Sequence, residues 1–411
     1  MASHNRTFDL ADAARLAARC FVPEQQPCDH VGLELEWITI DRRRPTVRLE
    51  PDDLRPVVAG PLPAGGSITF EPGGQIELNT IPYDDLSSLL DAAHADADAL
   101  RQRLAGAGVE LVAQGLDAVR PPCRVLHTAR YEAMEATFNG DGESGLRMMC
   151  NSAALQVNID LDPALRRWQL ADRLGPVLVA SFANSPFIDG APSGLKASRL
   201  ANWWQIDPTR TSPVDTDHDP ARVWLNYALD ARLLLVRADD DHYVAQPVPV
   251  SFREWMDNGS DLGWPTADDF AYHLTTLFPP VRPRGWLELR MIDAVDDRLW
   301  PVATALTTML LCDEEASALA AEACKPVAGR WGVAARLGLE DASLAAAATT
   351  CTVAARDALA RDPATKALAD EVDAYLDEYV AKGRCPADDL LDRWARTGAL
   401  LAPSAELDAV S

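Results

Sequence analysis

An α+β fold built on an antiparallel sheet is predicted for this chain of 411 residues, and three observations predict it. Four separated segments alternate apolar and polar residues with the period of two that half-buried strands show. Segments with helical periodicity lie between and after them. Strands and helices do not alternate as a βαβ array would, and no internal repeat is present.

The elements follow in order. Leu10, Ala13, Leu16 and Ala17 predict a helix over 8–21, followed by a polar turn and a strand beginning at Gly32. Residues 41–66, with Arg42-Arg43-Arg44-Pro45 and Pro61-Leu62-Pro63-Ala64-Gly65-Gly66, predict a loop excursion. A helix over about 84–106 and a strand over about 109–114 come next. Pro121-Pro122, Asn139-Gly140-Asp141-Gly142 and Gly145 predict an irregular stretch over 118–145, long enough to suggest a loop over a site. A helix over about 163–184 stops at Asn184-Ser185-Pro186-Phe187, because the residue before a proline avoids the helical region. A loop carrying Gly190, Lys196, Arg199, Trp203, Trp204 and Arg210 follows. Residues 222–237 and 243–250 read as mixed, about 266–277 as a helix, and Pro279-Pro280 and Pro283 introduce a strand at 286–292. From 299 the chain is alanine-rich and helical, broken near Gly329, Gly338 and Pro386.

Composition narrows the function. A formal net charge of −24 argues against nucleic acid, whose phosphates need a basic footprint, and against anionic membrane surfaces. Cations and small molecules are the expected partners, and a phosphorylated ligand could bind through local arginines and metal. The eight cysteines, at 20, 28, 123, 150, 312, 324, 351 and 385, contain no C-x-x-C pair, so separate reduced thiols and a cytoplasmic setting are expected. Met1–Arg19 lacks an apolar core for a secretory signal, and no apolar run of about 18 residues exists to span a membrane.

The chemistry lies on the polar faces of the strands. In the first, Val31, Leu33, Leu35 and Trp37 share one face, and Glu34 and Glu36 the other. Glu71-Pro72-Gly73-Gly74-Gln75-Ile76-Glu77 sets Gln75 and Glu77 two apart; Gln156, Asn158 and Asp160 line up in a third segment; Glu288 and Arg290 repeat the spacing with opposite charges. If these strands share a sheet, their polar faces make one carboxylate-rich floor. Carboxylates about 4 Å apart repel by roughly 1 kcal/mol in water and about 4 at a protein-like dielectric, so such a floor calls for bound divalent cations. An oxygen-ligand site, with magnesium the expected ion, is the first reading. No Walker-type phosphate loop is present, and the glycines of 73–74 are expected to bulge the strand and let a ligand approach the backbone. His127 and His273 are most simply structural.

Taken together, Gly32-Leu-Glu-Leu-Glu36, Phe70-Glu-Pro-Gly-Gly-Gln-Ile-Glu-Leu78, Met148-Met149 with Gln156-Val-Asn-Ile-Asp160, Ala183-Asn-Ser-Pro-Phe187 and Leu287-Glu-Leu-Arg290 resemble the glutamate–cysteine ligases of the plant and actinobacterial type. The resemblance runs from about 30 to 293. It implies a glutamine-synthetase-like curved antiparallel sheet with flanking helices, a catalytic domain over 1–300, and a C-terminal helical region, 301–411, packed on it. It also implies ATP-dependent joining of the L-glutamate γ-carboxylate to the L-cysteine amine through γ-glutamyl phosphate, in a group that includes the ergothioneine-biosynthesis enzyme. Two or more Mg2+ ions, ATP as co-substrate and no obligate protein partner go with it.

By the same resemblance Glu34, Glu36, Glu71, Glu77, Gln156 and Glu288 form the metal set, Gln156 standing where some relatives have histidine. Arg290 and Glu36 are catalytic. Asn158, Gln75 and Arg290 meet the nucleotide, Arg199 and Arg210 grip glutamate or phosphate, and Met148 and Met149 wall the cysteine subsite. Trp203 and Trp204 either stack on adenine or pack. Three alternatives stay open on the residues: a related ligase using another amine, a metal-dependent hydrolase, and a non-catalytic nucleotide-binding protein.

Overall fold

The computed structural model describes residues 8–23, 29–139, 142–238 and 242–401; Cys28, Gly140, Asp141, the segment before residue 8 and the last ten residues of the C-terminal region lie outside them. The architecture is the expected α+β class. Its main sheet has seven antiparallel strands: β1 (Val31–Asp41), β2 (Ser67–Phe70), β3 (Ile76–Asn79), β4 (Val109–Val112), β5 (Ala154–Asp160), β6 (Val281–Pro283) and β7 (Trp286–Asp293). The order is β6-β7-β5-β1-β3-β2, with β4 paired to the second half of β1.

Strand alternation settles which face meets the core. Leu33, Leu35, Trp37, Ile76, Leu78, Leu155, Val157, Ile159, Leu287 and Leu289 are all buried. They belong to one apolar core shared with the helices Leu86–Gly106, Arg166–Phe182 and Trp300–Cys312, the last from the C-terminal helical region. Each such side chain contributes about 1.5–3 kcal/mol when fully buried, so this face fixes the register and leaves the opposite face free for polar residues.

Three stretches expected to be loops contain helices. Pro51–Val58 interrupts 41–66 because Pro51 occupies the first helical turn, where its missing N–H costs nothing. Ala129–Phe138 forms inside 118–145 once the Thr128 side chain accepts from the Tyr131 N–H. Ser198–Trp204 and the short Pro208–Thr211, capped by Asp207, lie in the stretch after Gly194. No helix among the described residues is long and apolar enough to cross a membrane. The described cysteines are all free thiols.

Gly73 and Gly74 serve the turn between β2 and β3, not a ligand. Gly74 has φ +85°, and a Cβ on Gly73 would lie 2.0 Å from the Cys150 carbonyl oxygen. Arg48 holds the two backbones together, donating to the carbonyls of Gly73 and Cys150 at 3.0 Å each. Gly73→Ala is therefore expected to destabilise the fold by about 3 kcal/mol, read as a lowered urea midpoint, because neither backbone can yield.

Candidate active site

The polar face of the sheet carries the site, and the register puts its residues side by side. Across β1 and β5, Glu34 faces Gln156 and Gly32 faces Asn158; across β1 and β3, Glu36 faces Glu77. Asn158 in turn faces Glu288 on β7, which faces Arg282 on β6. Glu71 enters from the turn before β3, held by its N–H to the Gln75 carbonyl at 2.9 Å. Glu34, Glu36, Glu71, Glu77, Gln156, Arg282 and Glu288 floor a cavity of about 290 Å³.

The cavity is electrically divided. Glu34, Glu36, Glu71 and Glu77 occupy the side of β1 and β3; Arg282, Arg284, Arg290 and the helix-borne Arg130 and Arg199 line it too. Burial, with Glu288 and Glu77 close by, pushes Glu34 up to about 7. Burial and the opposed Glu77 push Glu36 to about 8, and Glu71 also rises well above the carboxylate range. Glu288 goes the other way. Burial alone would raise it, but Arg282 and Arg290 prevail and hold it at about 2.

Hydrogen bonds show how each group is engaged. Glu36 accepts from the Ala154 N–H at 2.9 Å and from Gln156 Nε2 at 2.7 Å. Glu34 accepts from Asn158 Nδ2 at 3.1 Å, and Glu77 accepts from Thr69 Oγ1 and Asn79 Nδ2 at 2.7 Å each. Arg290 Nη1 donates to Gln156 Oε1 at 2.7 Å and to Glu288 Oε1 at 3.0 Å. Arg282 pairs with Glu288 through Nε and Nη2.

Four glutamates with oxygen donors only and a surplus of buried charge suit a hard divalent cation. Convergence is another matter: among the described residues no group of three or more His, Cys, Asp or Glu side chains is placed closely enough to hold a metal ion. Glu34, Glu36 and Glu77 are turned instead toward donors of the sheet. Within the expected metal set, Gln156 and Glu288 give their oxygens to arginines, which sets them apart from the other four.

Other expected site residues also take different work. Arg210 is not at the cavity: it is buried, pairs with Asp207 at 3.1 Å and donates to the Thr276 and Arg232 carbonyls, and so braces its own segment. Arg199 reaches the cavity wall, but its Nη2 donates to the Arg290 carbonyl at 2.6 Å and its Nη1 lies 3.4 Å from Asp293. Gln75 ties the turn to the Ser152 carbonyl at 2.9 Å and accepts from the Gly73 N–H, leaving it no free amide group for a nucleotide. Met148 and Met149 line the cavity, as does Trp203 under the Arg290 guanidinium, whereas Trp204 packs on the main core. His273 is fully buried, donates through Nε2 to the Ala228 carbonyl at 2.9 Å, and is depressed to about 3 by burial, so it is a neutral structural group.

The sequence reading missed Arg130, Tyr131, Arg282 and Arg284. The Val281-Arg282-Pro283-Arg284 run looks like a strand lead-in, and only pairing with β7 turns Arg282 onto Glu288. Beyond Glu34 the same face continues into a second cavity of about 380 Å³, lined by His30, Gly32, Thr80, Asn158, Asp160 and Trp286 among others.

Residues 30–406 match Glutamate-cysteine ligase family 2 (GCS2). The chain belongs to this family. It is similar to the glutamate–cysteine ligase EgtA of Mycolicibacterium smegmatis, 44% identical over 384 residues, which cover 90% of this chain and 89% of the relative. EgtA of Mycobacterium tuberculosis is 40% identical over 402 residues, 94% of this chain and 90% of the relative. The chloroplastic glutamate–cysteine ligase of Nicotiana tabacum is 29% identical over 260 residues, 60% of this chain and 49% of the plant chain. A bifunctional glutathione synthetase from Pasteurella multocida shares the fold, with a TM-score of 0.55 at 14% identity over 95% of this chain; this chain spans about half of it, 52%.

One pH dependence follows for this family member. Glu34 and Glu36 would ionise in the ordinary carboxylate range when unfolded but near 7 and 8 when folded, so the folded state keeps their protons longer. Stability of the metal-free chain is therefore expected to fall as pH rises from about 5 to about 8. Added Mg2+ is expected to reverse that fall, because cation binding favours the ionised carboxylates. Thermal melts across that range, with and without Mg2+, check both signs.

Proposed function

We propose that this chain is an ATP-dependent glutamate–cysteine ligase. The glutamate γ-carboxylate attacks the γ-phosphorus of ATP, the bond to ADP breaks, and γ-glutamyl phosphate results. The cysteine amine then attacks the acyl carbon, phosphate leaves, a proton is lost and γ-glutamylcysteine forms. The setting is the cytoplasm, and the product is consumed in ergothioneine biosynthesis, the context of the EgtA relatives.

One observation carries the reading: a single cavity opposes four glutamates to a row of arginines along one sheet face. Transfer of a phosphoryl group between anions needs charge neutralisation on both sides of the reacting atoms. Glu34, Glu36, Glu71 and Glu77 would hold divalent cations, whose chemistry is to neutralise phosphate oxygens. Arg290, Arg282 and Arg284 supply fixed positive charge opposite them. Arg130 has no ion-pair partner among the described residues and suits the α-carboxylate of an amino acid, since a guanidinium grips a carboxylate through parallel hydrogen bonds. Met148 and Met149 offer a polarisable wall for the cysteine thiol. The second cavity, with Trp286, Asn158 and the His30–Asp160 pair, takes the nucleoside end of ATP, and Glu34 and Asn79 line both cavities.

ADP release with ATP, Mg2+, L-glutamate and a panel of amines tests the proposal. Cysteine is expected to give the highest kcat/KM by a wide margin. Another amine in first place would reassign the acceptor, and no ADP release with any amine would remove the ligase reading.

A further inference from the structure

Asn184, Ser185 and Asp293 take no part in the chemistry above, yet all three are buried directly behind it. We propose that Ser185, Asp293 and Arg199 are a positioning unit that holds the Arg290 guanidinium over the cavity floor through the backbone of β7. The inference rests on the ligase reading, in which Arg290 meets the transferred phosphoryl group.

The unit answers a defect in the sheet. Pairing of β7 with β5 runs regularly to Leu289 opposite Val157 and resumes at Ile292 opposite Leu155, so three steps on β7 match two on β5. Arg290 sits in that bulge. Bulges re-aim side chains and leave a ladder group unpaired. The Arg290 N–H finds the Pro280 carbonyl at 2.8 Å, and its carbonyl is taken by Arg199 Nη2 at 2.6 Å.

Arg199 is itself fixed at both ends. Its backbone N–H donates to Ser185 Oγ at 3.0 Å, and its Nη1 lies 3.4 Å from Asp293 Oδ1. Ser185 Oγ donates to Asp293 Oδ2 at 2.6 Å, and the Asn184 N–H donates to the same oxygen at 2.8 Å. Arg199, Ser185 and Asp293 thus close a ring, and Asp293 stands at the end of the same strand as Arg290. One guanidinium bridges the two sides of the bulge. The seat has no slack: a Cβ on Gly115 would lie 2.5 Å from the Asp293 carboxyl carbon.

A group that acts by orientation alone loses rate, not binding, when its support goes. Ser185→Ala is expected to lower kcat about tenfold, with KM for ATP, glutamate and cysteine each within about twofold. The thermal midpoint should stay within about 4 °C. Asp293→Asn is the harsher second variant and should shift kcat in the same direction. The deciding measurement is the double-mutant cycle: in an Arg290→Lys background the Ser185→Ala effect should shrink below about twofold, because the guanidinium being positioned is gone. An equal loss in both backgrounds, or a loss confined to KM, would overturn the unit while leaving the ligase assignment intact. A wild-type chain without ATP-dependent turnover would instead remove the ligase reading, and this inference with it.

Discussion

Arg290→Ala is expected to lower γ-glutamylcysteine formation at least about a thousandfold, the range seen when a fixed cation is removed from a phosphoryl-transfer site. Folding should survive. Glu288 keeps its bond to Arg282 Nη2 at 2.8 Å, so no buried carboxylate is left unpaired, and Gln156 Oε1 opens to the cavity. The measurement is coupled ADP release beside a thermal melt. Activity within about threefold of wild type would remove Arg290 from the chemistry, since so small a change is under 1 kcal/mol of transition-state stabilisation.

Glu36→Gln should lower turnover by a factor of about a hundred or more, with weaker cation binding by titration calorimetry. Its effect on stability should be small and of mixed sign. The amide can accept from the Ala154 N–H or from Gln156, but not from both, which costs about 1 kcal/mol; removing a carboxyl that faces Glu77 offsets it. The two effects separate with pH. Because Glu36 ionises near 8 in the fold, the variant should lose less stability than wild type between pH 5 and 8. A metal-free variant with an unchanged pH profile would show that Glu36 does not carry the buried proton.

Much of the site was legible because side-chain alternation in a strand is a local property. Glu34 with Glu36, Gln156 with Asn158 and Glu288 with Arg290 each announce a shared face within three residues. Arg210 was misread for the opposite reason: a loop arginine has no periodicity, and whether it meets a ligand or Asp207 depends on how Pro208–Thr211 folds back on its own cap. Helices at 51–58 and 129–138 were hidden because prolines and caps that look like breakers in sequence stand at helix starts in the structure.

By itself the sequence determined the strand faces, the acidic character of the floor and the kinship carried by its motifs, all of which follow from spacing along the chain. Only the tertiary structure decided which charges meet. Arg282 reaches Glu288 because β6 pairs with β7, Arg290 is aimed by a bulge whose carbonyl Arg199 completes from a distant helix, and Arg130 arrives from a segment that reads as loop. Ion pairs and bulge registers are set by contacts between residues far apart in the chain, and no local pattern encodes them.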